Sequence, residues 1–102
     1  MKIYISGMIP DDPNNLKKFF EYEKIIKNKF DCEVVNPAWM RLWLPESFGI
    51  YDYLAVDLAA LERCEMAFFI DDWTTSIECI QEMAYCKTHS IKIIREEDLK
   101  NE

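Results

Sequence analysis

Short apolar runs alternate along this chain with longer stretches in which apolar residues recur every three or four positions. The short runs KIYIS, CEVVNP, MAFFI and IKII are rich in β-branched and aromatic residues, and they predict strands at 2–6, 32–37, 66–70 and 91–94. The longer stretches predict helices over about 13–29, 50–63 and 75–88. The pattern therefore predicts strands and helices in alternation, with short connections between them.

Alternation of this kind is typical of an α/β protein with a parallel sheet and helices on both faces. Right-handed crossovers favour the strand order 2-1-3-4 in a sheet of four or five strands. We therefore expect a three-layer, flavodoxin- or Rossmann-like fold, with residues 1–102 forming a single domain. Ligands in such sheets bind at the carboxyl ends of the strands, near the point where the strand order reverses. Here the segments 7–10 and 71–76 follow strand ends at that point.

Local signals suggest where the helices begin. Asp12 followed by Pro13 is typical of a helix N-cap with proline at the first helical position. The spacing Thr75-x-x-Glu78 predicts a capping box at the start of the third helix. The segment AWMRLWLPESFG at 38–49 has no clean period and predicts an aromatic loop or a short helical turn, and the charged tail from 95 predicts frayed chain or a last helical turn.

Charge and composition exclude several classes of function. A net charge of −7 argues against a nucleic-acid polymer as partner, because such binding needs a basic surface. No apolar run is long enough to cross a membrane, and the N-terminus lacks the apolar stretch of a secretory peptide. Four cysteines without a CxxC pair are typical of reduced thiols, so we expect a cytoplasmic protein.

Known cofactor motifs are missing from the sequence. The segment after the first strand is not a Walker loop, and no G-x-G-x-x-G motif is present. Cys86-x-x-His89 has a spacing that can chelate a metal, but zinc sites usually need paired cysteine spacings and a fourth ligand. We therefore expect neither a cofactor nor a metal.

The third helix carries the most informative polar residue, Glu82. On a helical wheel an apolar half is formed by Ile77, Cys79, Ile80, Met83, Ala84 and Cys86, and Glu82 lies at its border. One interpretation is a solvated residue, or one that complements the helix dipole. The other is a reactive carboxylate in the crevice at the end of the sheet. The wheel alone leaves both open.

Four segments in order, KIYISG, VVNPAW, DLAALERCE and WTTSIECIQEMA, resemble the nucleoside 2-deoxyribosyltransferase-like superfamily. The chain looks most like a small, often phage-borne branch of uncharacterised function, and the resemblance covers nearly the whole chain. It implies that Glu82 is the nucleophile, that Asp57 contacts base or sugar, and that Tyr4 lies near the nucleophile. It also implies that Gly7 lets the backbone approach a ligand. Ser76 falls where the transferases carry an aspartate and the small branch a serine.

The implied chemistry suits these residues. A carboxylate can trap the oxocarbenium-like state of a breaking N-glycosidic bond as a covalent glycosyl-enzyme, while a second acid protonates the departing base. Glu82 would be the nucleophile, and Asp57 would be the acid or the group that orients the base, with Asp72 as the fallback. Tyr4 would hold the Glu82 carboxylate by a hydrogen bond. Ser76 and the helix amides would bind sugar hydroxyl or phosphate. We further expect Ser6, Gly7, Asp72, Trp73 and Trp39 to contact the substrate.

Two alternatives remain. Glu78 stands where the family carries a small residue, and its negative charge argues against a 5′-phosphorylated substrate. The same substitution leaves open a second function, that of a non-catalytic nucleoside- or nucleotide-binding protein of the same fold. An aromatic cluster of Trp39, Trp43, Phe48, Tyr51 and Tyr53 is either a lid that stacks on a base, core packing, or a surface that binds a protein or another subunit. The resemblance favours a homo-oligomer.

Overall fold

The computed structural model describes residues 1–9, 16–45 and 47–100. These residues form four strands, β1 (Lys2–Ser6), β2 (Glu33–Val35), β3 (Met66–Phe69) and β4 (Lys92–Arg95), and five helices, α1 (Lys17–Phe30), α2 (Ala38–Trp43), α3 (Ile50–Leu61), α4 (Ile77–Thr88) and α5 (Glu96–Lys100). A 3₁₀ helix (Asp71–Thr75) connects β3 to α4. All four predicted strands are present.

The sheet is parallel throughout and has the predicted order β2-β1-β3-β4. In the register of the two central strands, Tyr4 lies beside Ala67 and Ser6 lies beside Phe69. The N–H of Ile70 donates to the Ser6 carbonyl at 2.8 Å, which continues the pairing past the end of β3. The strand order reverses between β1 and β3, so the crevice expected for a ligand lies at the ends of these two strands.

Two apolar layers cover the two faces of the sheet. On one face, Ile3, Ile5 and Phe68 pack against residues of α1, including Phe19 and Ile26. On the other face Tyr4, Ala67 and Phe69 pack with Leu61 of α3 and with Met83 and Cys86 of α4. Because side chains alternate along a strand, Tyr4 and Ser6 both point to the α3–α4 face. The three-layer α/β fold is thus confirmed.

The buried face of α4 differs from the one expected, and α3 likewise buries a carboxylic acid. In α4 the buried residues are Cys79, Glu82, Met83 and Cys86, while Ile77 and Ile80 are 64% and 47% exposed. In α3 they are Tyr53, Asp57 and Leu61. The border position assigned to Glu82 is therefore wrong, since its carboxylate lies within the buried face. Hydrophobicity misplaced the face because both helices turn a carboxylic acid inward, where hydroxyl groups of the sheet can satisfy it.

The start of α4 also differs from the prediction. Ser76 is the N-cap, and its Oγ accepts from the Cys79 N–H at 3.3 Å. Thr75 instead closes the 3₁₀ helix by donating to the Asp72 carbonyl at 2.6 Å. The predicted capping box of Thr75 and Glu78 is therefore wrong, because the 3₁₀ helix moves the first turn of α4 one residue along the chain. The predicted Asp12–Pro13 cap lies outside the described residues.

The short elements resolve two further predictions. The aromatic segment begins with a six-residue helix, α2, and the charged tail forms α5.

The four cysteines are unpaired, and three of them, Cys64, Cys79 and Cys86, are buried. No helix among the described residues is long and apolar enough to span a membrane.

Candidate active site

Glu82 is the central residue of a small cleft at the carboxyl end of β1. Its side chain is only 2% exposed, which is unusual for a carboxylic acid. Both of its oxygens are satisfied by hydroxyl groups of β1: Tyr4 donates to Oε2 at 2.7 Å and Ser6 donates to Oε1 at 2.6 Å. The two donors come from alternate positions of one strand, so the sheet itself fixes the orientation of the carboxylate.

Asp57 is the second buried acid at this site, and its side chain is 4% exposed. It reaches the cleft from α3 and lies beside Tyr4, whose hydroxyl lowers the pKa of Asp57 against the effect of burial. Tyr4 is therefore the common neighbour of both acids.

The two acids differ in their readiness to ionise. Burial raises the pKa of Glu82 to about 7, against the opposing hydrogen bonds from Ser6 and Tyr4. Burial, followed by the charges of Glu82 and Glu78, raises the pKa of Asp57 to about 8. Burial also keeps the pKa of Tyr4 well above its usual value, so that this hydroxyl stays a donor. Asp57 therefore holds its proton to a higher pH than Glu82 does.

The cleft has a volume of about 210 Å³, including its open mouth. The described residues that line it are Tyr4, Gly7, Ile9, Pro37, Asp57, Ser76, Glu78, Cys79 and Glu82. Pockets for whole small-molecule ligands usually measure about 300–1,000 Å³. Since the 210 Å³ includes open space at the mouth, the enclosed part of the cleft formed by the described residues is far smaller than such a pocket and cannot hold a complete nucleoside.

Several residues predicted from the sequence meet in this cleft. Tyr4, Gly7, Asp57, Ser76 and Glu82 all line it, and Ser6 supports it through its bond to Glu82. At Gly7 the absence of a side chain has a packing reason as well, because a Cβ there would lie 2.7 Å from Cδ1 of Ile70.

Three other predicted residues lie elsewhere. Asp72 forms an ion pair with Lys18 and accepts from the Met8 N–H at 3.0 Å, so it connects the loop after β1 to α1. The ring of Trp73 packs edge-on against Phe69, with a centroid distance of 5.8 Å. Neither residue lines the cleft, because the 3₁₀ helix turns both away from it.

Trp39 is the third of these residues. It packs edge-on against Phe20 at a centroid distance of 5.2 Å, and its Nε1 donates to Glu23 at 3.4 Å. The wider aromatic cluster is mostly exposed, with Trp43 and Tyr51 at 77% and 79%, and only Tyr53 is buried. Core packing is therefore the wrong interpretation for most of the cluster. The lid and the interaction surface stay open as predictions.

Sequence reasoning missed Arg41, which lies on α2 near the mouth of the cleft. Its Nη2 donates to both carboxylate oxygens of Glu78, at 3.3 and 3.5 Å, and its guanidinium stacks on the Tyr53 ring at 3.8 Å. One signal was available, since Arg41 is the only lysine or arginine between positions 30 and 62. Arginine is well suited to shielded ion pairs and to stacking on aromatic rings, so a lone arginine in an aromatic segment is a candidate for both.

The profile of DUF4406, described as a domain of unknown function, matches residues 1–95. The chain belongs to the DUF4406 family. No curated protein and no solved structure matches it. The match to DUF4406 covers every residue of the cleft named above but carries no activity with it. The deoxyribosyltransferase-like activity implied by the sequence of this DUF4406 chain therefore stays a prediction.

Proposed function

We propose that this protein cleaves the N-glycosidic bond of nucleosides through a covalent glycosyl intermediate on Glu82. The observation that carries the proposal is the buried Glu82 carboxylate, held by Tyr4 and Ser6 in a cleft that it shares with Asp57. A purely structural carboxylate rarely lies fully buried without a cationic partner, because its burial costs several kcal/mol. The resemblance of the chain to nucleoside 2-deoxyribosyltransferases supports the same assignment.

In the first step an oxygen of Glu82 attacks C1′ of the sugar and forms a glycosyl ester. The bond between C1′ and the base nitrogen breaks, and its electron pair stays on the nitrogen. Asp57, protonated below about pH 8, donates its proton to the departing base. Two acids with different protonation states are the usual arrangement for such a reaction.

In the second step a water molecule or another base attacks C1′ and releases the Glu82 carboxylate. The Asp57 carboxylate, now ionised, takes the proton from the attacking group. Hydrolysis and base transfer differ only in the nucleophile of this step. The Tyr4 hydroxyl remains a donor throughout and holds Glu82 in its attacking position.

The direct test is incubation of the purified protein with a panel of nucleosides and their 5′-monophosphates, with and without a foreign free base. Chromatography follows the released and exchanged bases, and Glu82→Ala serves as the control. Turnover that is lost in the variant supports the proposal, and the products separate a hydrolase from a transferase. No turnover by a folded wild-type protein would contradict it.

The alternative is a nucleoside- or nucleotide-binding protein without catalytic activity. The observation that favours it is the small cleft, where Glu78 adds a third carboxylic acid. This alternative predicts saturable binding without turnover in calorimetry. Absence of affinity for any nucleoside or nucleotide would rule it out.

We extend the proposal to the assembly and the location of the protein. The exposed rings of Trp43 and Tyr51 support a homo-oligomer, since aromatic residues are enriched at protein interfaces. Sedimentation velocity tests this, and a monomer at micromolar concentration would contradict it. The unpaired cysteines support a cytoplasmic location.

A further inference from the structure

Among the described residues, the Arg41–Glu78 ion pair is a charged contact at the cleft that the proposed chemistry does not use. Glu78 lines the same cleft as Glu82, one helical turn before it on α4. Both members of the pair are largely shielded, with side-chain exposures of 20% for Arg41 and 14% for Glu78. The pair is therefore a built part of the cleft and not a mobile surface contact.

Among the described residues, the charged side chains that line the cleft are all acidic. The described residues that line it include three carboxylic acids, Asp57, Glu78 and Glu82, and no lysine or arginine. Arg41 is the nearby cation, but its guanidinium is already bound to Glu78 and stacked on Tyr53. An anionic group that entered the cleft would therefore meet carboxylates first, and would have to compete with Glu78 for Arg41.

The start of α4 would otherwise attract anions. Free N–H groups and the helix dipole favour negative charge at a helix N-terminus. In this protein the Ser76 hydroxyl already accepts from Cys79, and the carboxylate of Glu78 lies in the first turn. The first turn of α4 thus has one of its N–H groups capped and carries a carboxylate of its own, which makes it a poor site for a phosphate.

We infer that Glu78 and Arg41 are specificity residues that select an uncharged nucleoside over its 5′-phosphate. The inference rests on the proposed function, because it assumes that C1′ of the sugar contacts Glu82. With the 5′ carbon of that sugar directed toward the N-terminal end of α4, its phosphate would lie beside Glu78, one helical turn from Glu82. There it is repelled by Glu78, while Arg41 stays engaged.

Changing Glu78 or Arg41 alone separates the repulsion of a phosphate by the carboxylate from its attraction by the guanidinium. In Glu78→Gln the repelling charge is gone, and Arg41 loses its ionic partner beside the cleft. This variant should accept a phosphate. In Arg41→Met the stacking volume on Tyr53 is partly kept, but Glu78 is left without its cation, so the rejection of phosphate should become stronger. Glu62→Gln is the matched control, because it removes the same charge from an exposed position at the end of α3.

The experiment measures kcat/KM and the calorimetric Kd for one nucleoside and for its 5′-monophosphate, in the wild type and the three variants. The wild type should prefer the nucleoside. Glu78→Gln should shift the ratio of the two substrates toward the monophosphate by at least about tenfold, and added salt should reduce this shift. Glu62→Gln should keep the wild-type ratio. Circular dichroism confirms that each variant is folded.

The outcomes distinguish this inference from the proposed function. If the wild type turns over nucleosides but prefers the monophosphate, or if the ratio is the same in Glu78→Gln, the inference is wrong and the proposed function stands. If the wild type neither binds nor turns over either compound, both are wrong. If it binds without turnover and Glu78→Gln still shifts the binding ratio, the specificity role stands without catalysis.

Discussion

Two tyrosine–glutamate pairs lie on opposite faces of the same sheet, and they differ in the pKa of the glutamate. Tyr4 donates to Glu82 at 2.7 Å on the α3–α4 face, and Tyr22 donates to Glu96 at 2.7 Å on the α1 face. Burial raises the pKa of Glu82 to about 7. Burial also pushes the pKa of Glu96 upward, but the hydrogen bonds from Tyr22 and the Asp71 N–H outweigh it, and the net pKa lies below the usual value.

The comparison shows that the hydrogen bond alone does not make a carboxylate unusual. Glu96 lies near the cation Lys100, and its neighbours Asp71 and Asp72 are paired with Arg95 and Lys18. Among the described residues, Glu82 is almost fully buried, and the charge that acts on it is the negative one of Glu78. Burial among acids is therefore what distinguishes the candidate nucleophile from a structural carboxylate with the same tyrosine partner.

The largest expected effect is the loss of activity when the Glu82 carboxylate is removed, compared with the removal of the Glu96 carboxylate. Glu82→Gln should lower nucleoside turnover by at least about 10³-fold, because no glycosyl ester can form on the amide. Glu96→Gln is the matched control and should retain wild-type turnover. Steady-state kinetics with chromatographic detection of the free base checks both variants. Comparable losses in the two would remove the functional difference between the two faces.

The second effect concerns Asp57. The profile of kcat/KM against pH should rise through about pH 7 as Glu82 ionises and fall above about pH 8 as Asp57 loses its proton. Asp57→Asn should lower activity by about 10²-fold or more and remove the fall at high pH. A variant profile that still falls above pH 8 would assign the acid to another group.

The third effect is on stability. The pKa values of Asp57 and Glu82 are raised by folding, so the folded state binds more protons than the unfolded state between about pH 4 and 8. The free energy of unfolding should therefore fall by several kcal/mol as the pH rises from 5 to 8. Asp57→Asn should reduce this slope. Urea unfolding at pH 5, 6.5 and 8 measures it, and a flat wild-type curve would contradict the raised pKa values.

The smallest expected effect is the difference between removing the Tyr4 hydroxyl and removing the Tyr22 hydroxyl. Tyr4→Phe removes a hydrogen bond that lowers the pKa of Glu82, so that pKa should rise and the acid limb of the activity profile should move to higher pH. Activity at pH 7 should then fall about tenfold, in line with a lost hydrogen bond to a charged group. Tyr22→Phe should leave the profile unchanged. An unmoved acid limb in Tyr4→Phe would mean that Tyr4 does not act through Glu82.

Much of the fold was predictable because it depends on patterns along the chain. Buried strands such as MAFFI stand out by composition, and the right-handed crossover rule leaves few strand orders for such a chain. The carboxyl-end location of the cleft follows from that order. The resemblance then placed Glu82, Asp57 and Tyr4, which the structure brings to one cleft.

The errors arose where contacts between distant residues decide the local structure. The burial of Glu82 depends on Tyr4 and Ser6, which are 78 and 76 residues away in the sequence. A helical wheel cannot register such partners, so it placed Ile77 and Ile80 on the buried face instead. The role given to Glu78 failed for the same reason, because its partner is Arg41 on another helix and not Thr75 beside it.

The central claim is that Glu82 forms the covalent intermediate, and mass spectrometry of the acid-quenched protein tests it most directly. The protein is mixed with a nucleoside substrate, quenched within the first turnover, and digested to locate any added sugar. We predict an adduct with the mass of the sugar on Glu82 in the wild type and in Glu96→Gln, and none in Glu82→Gln. A sugar adduct that persists in Glu82→Gln would contradict the account.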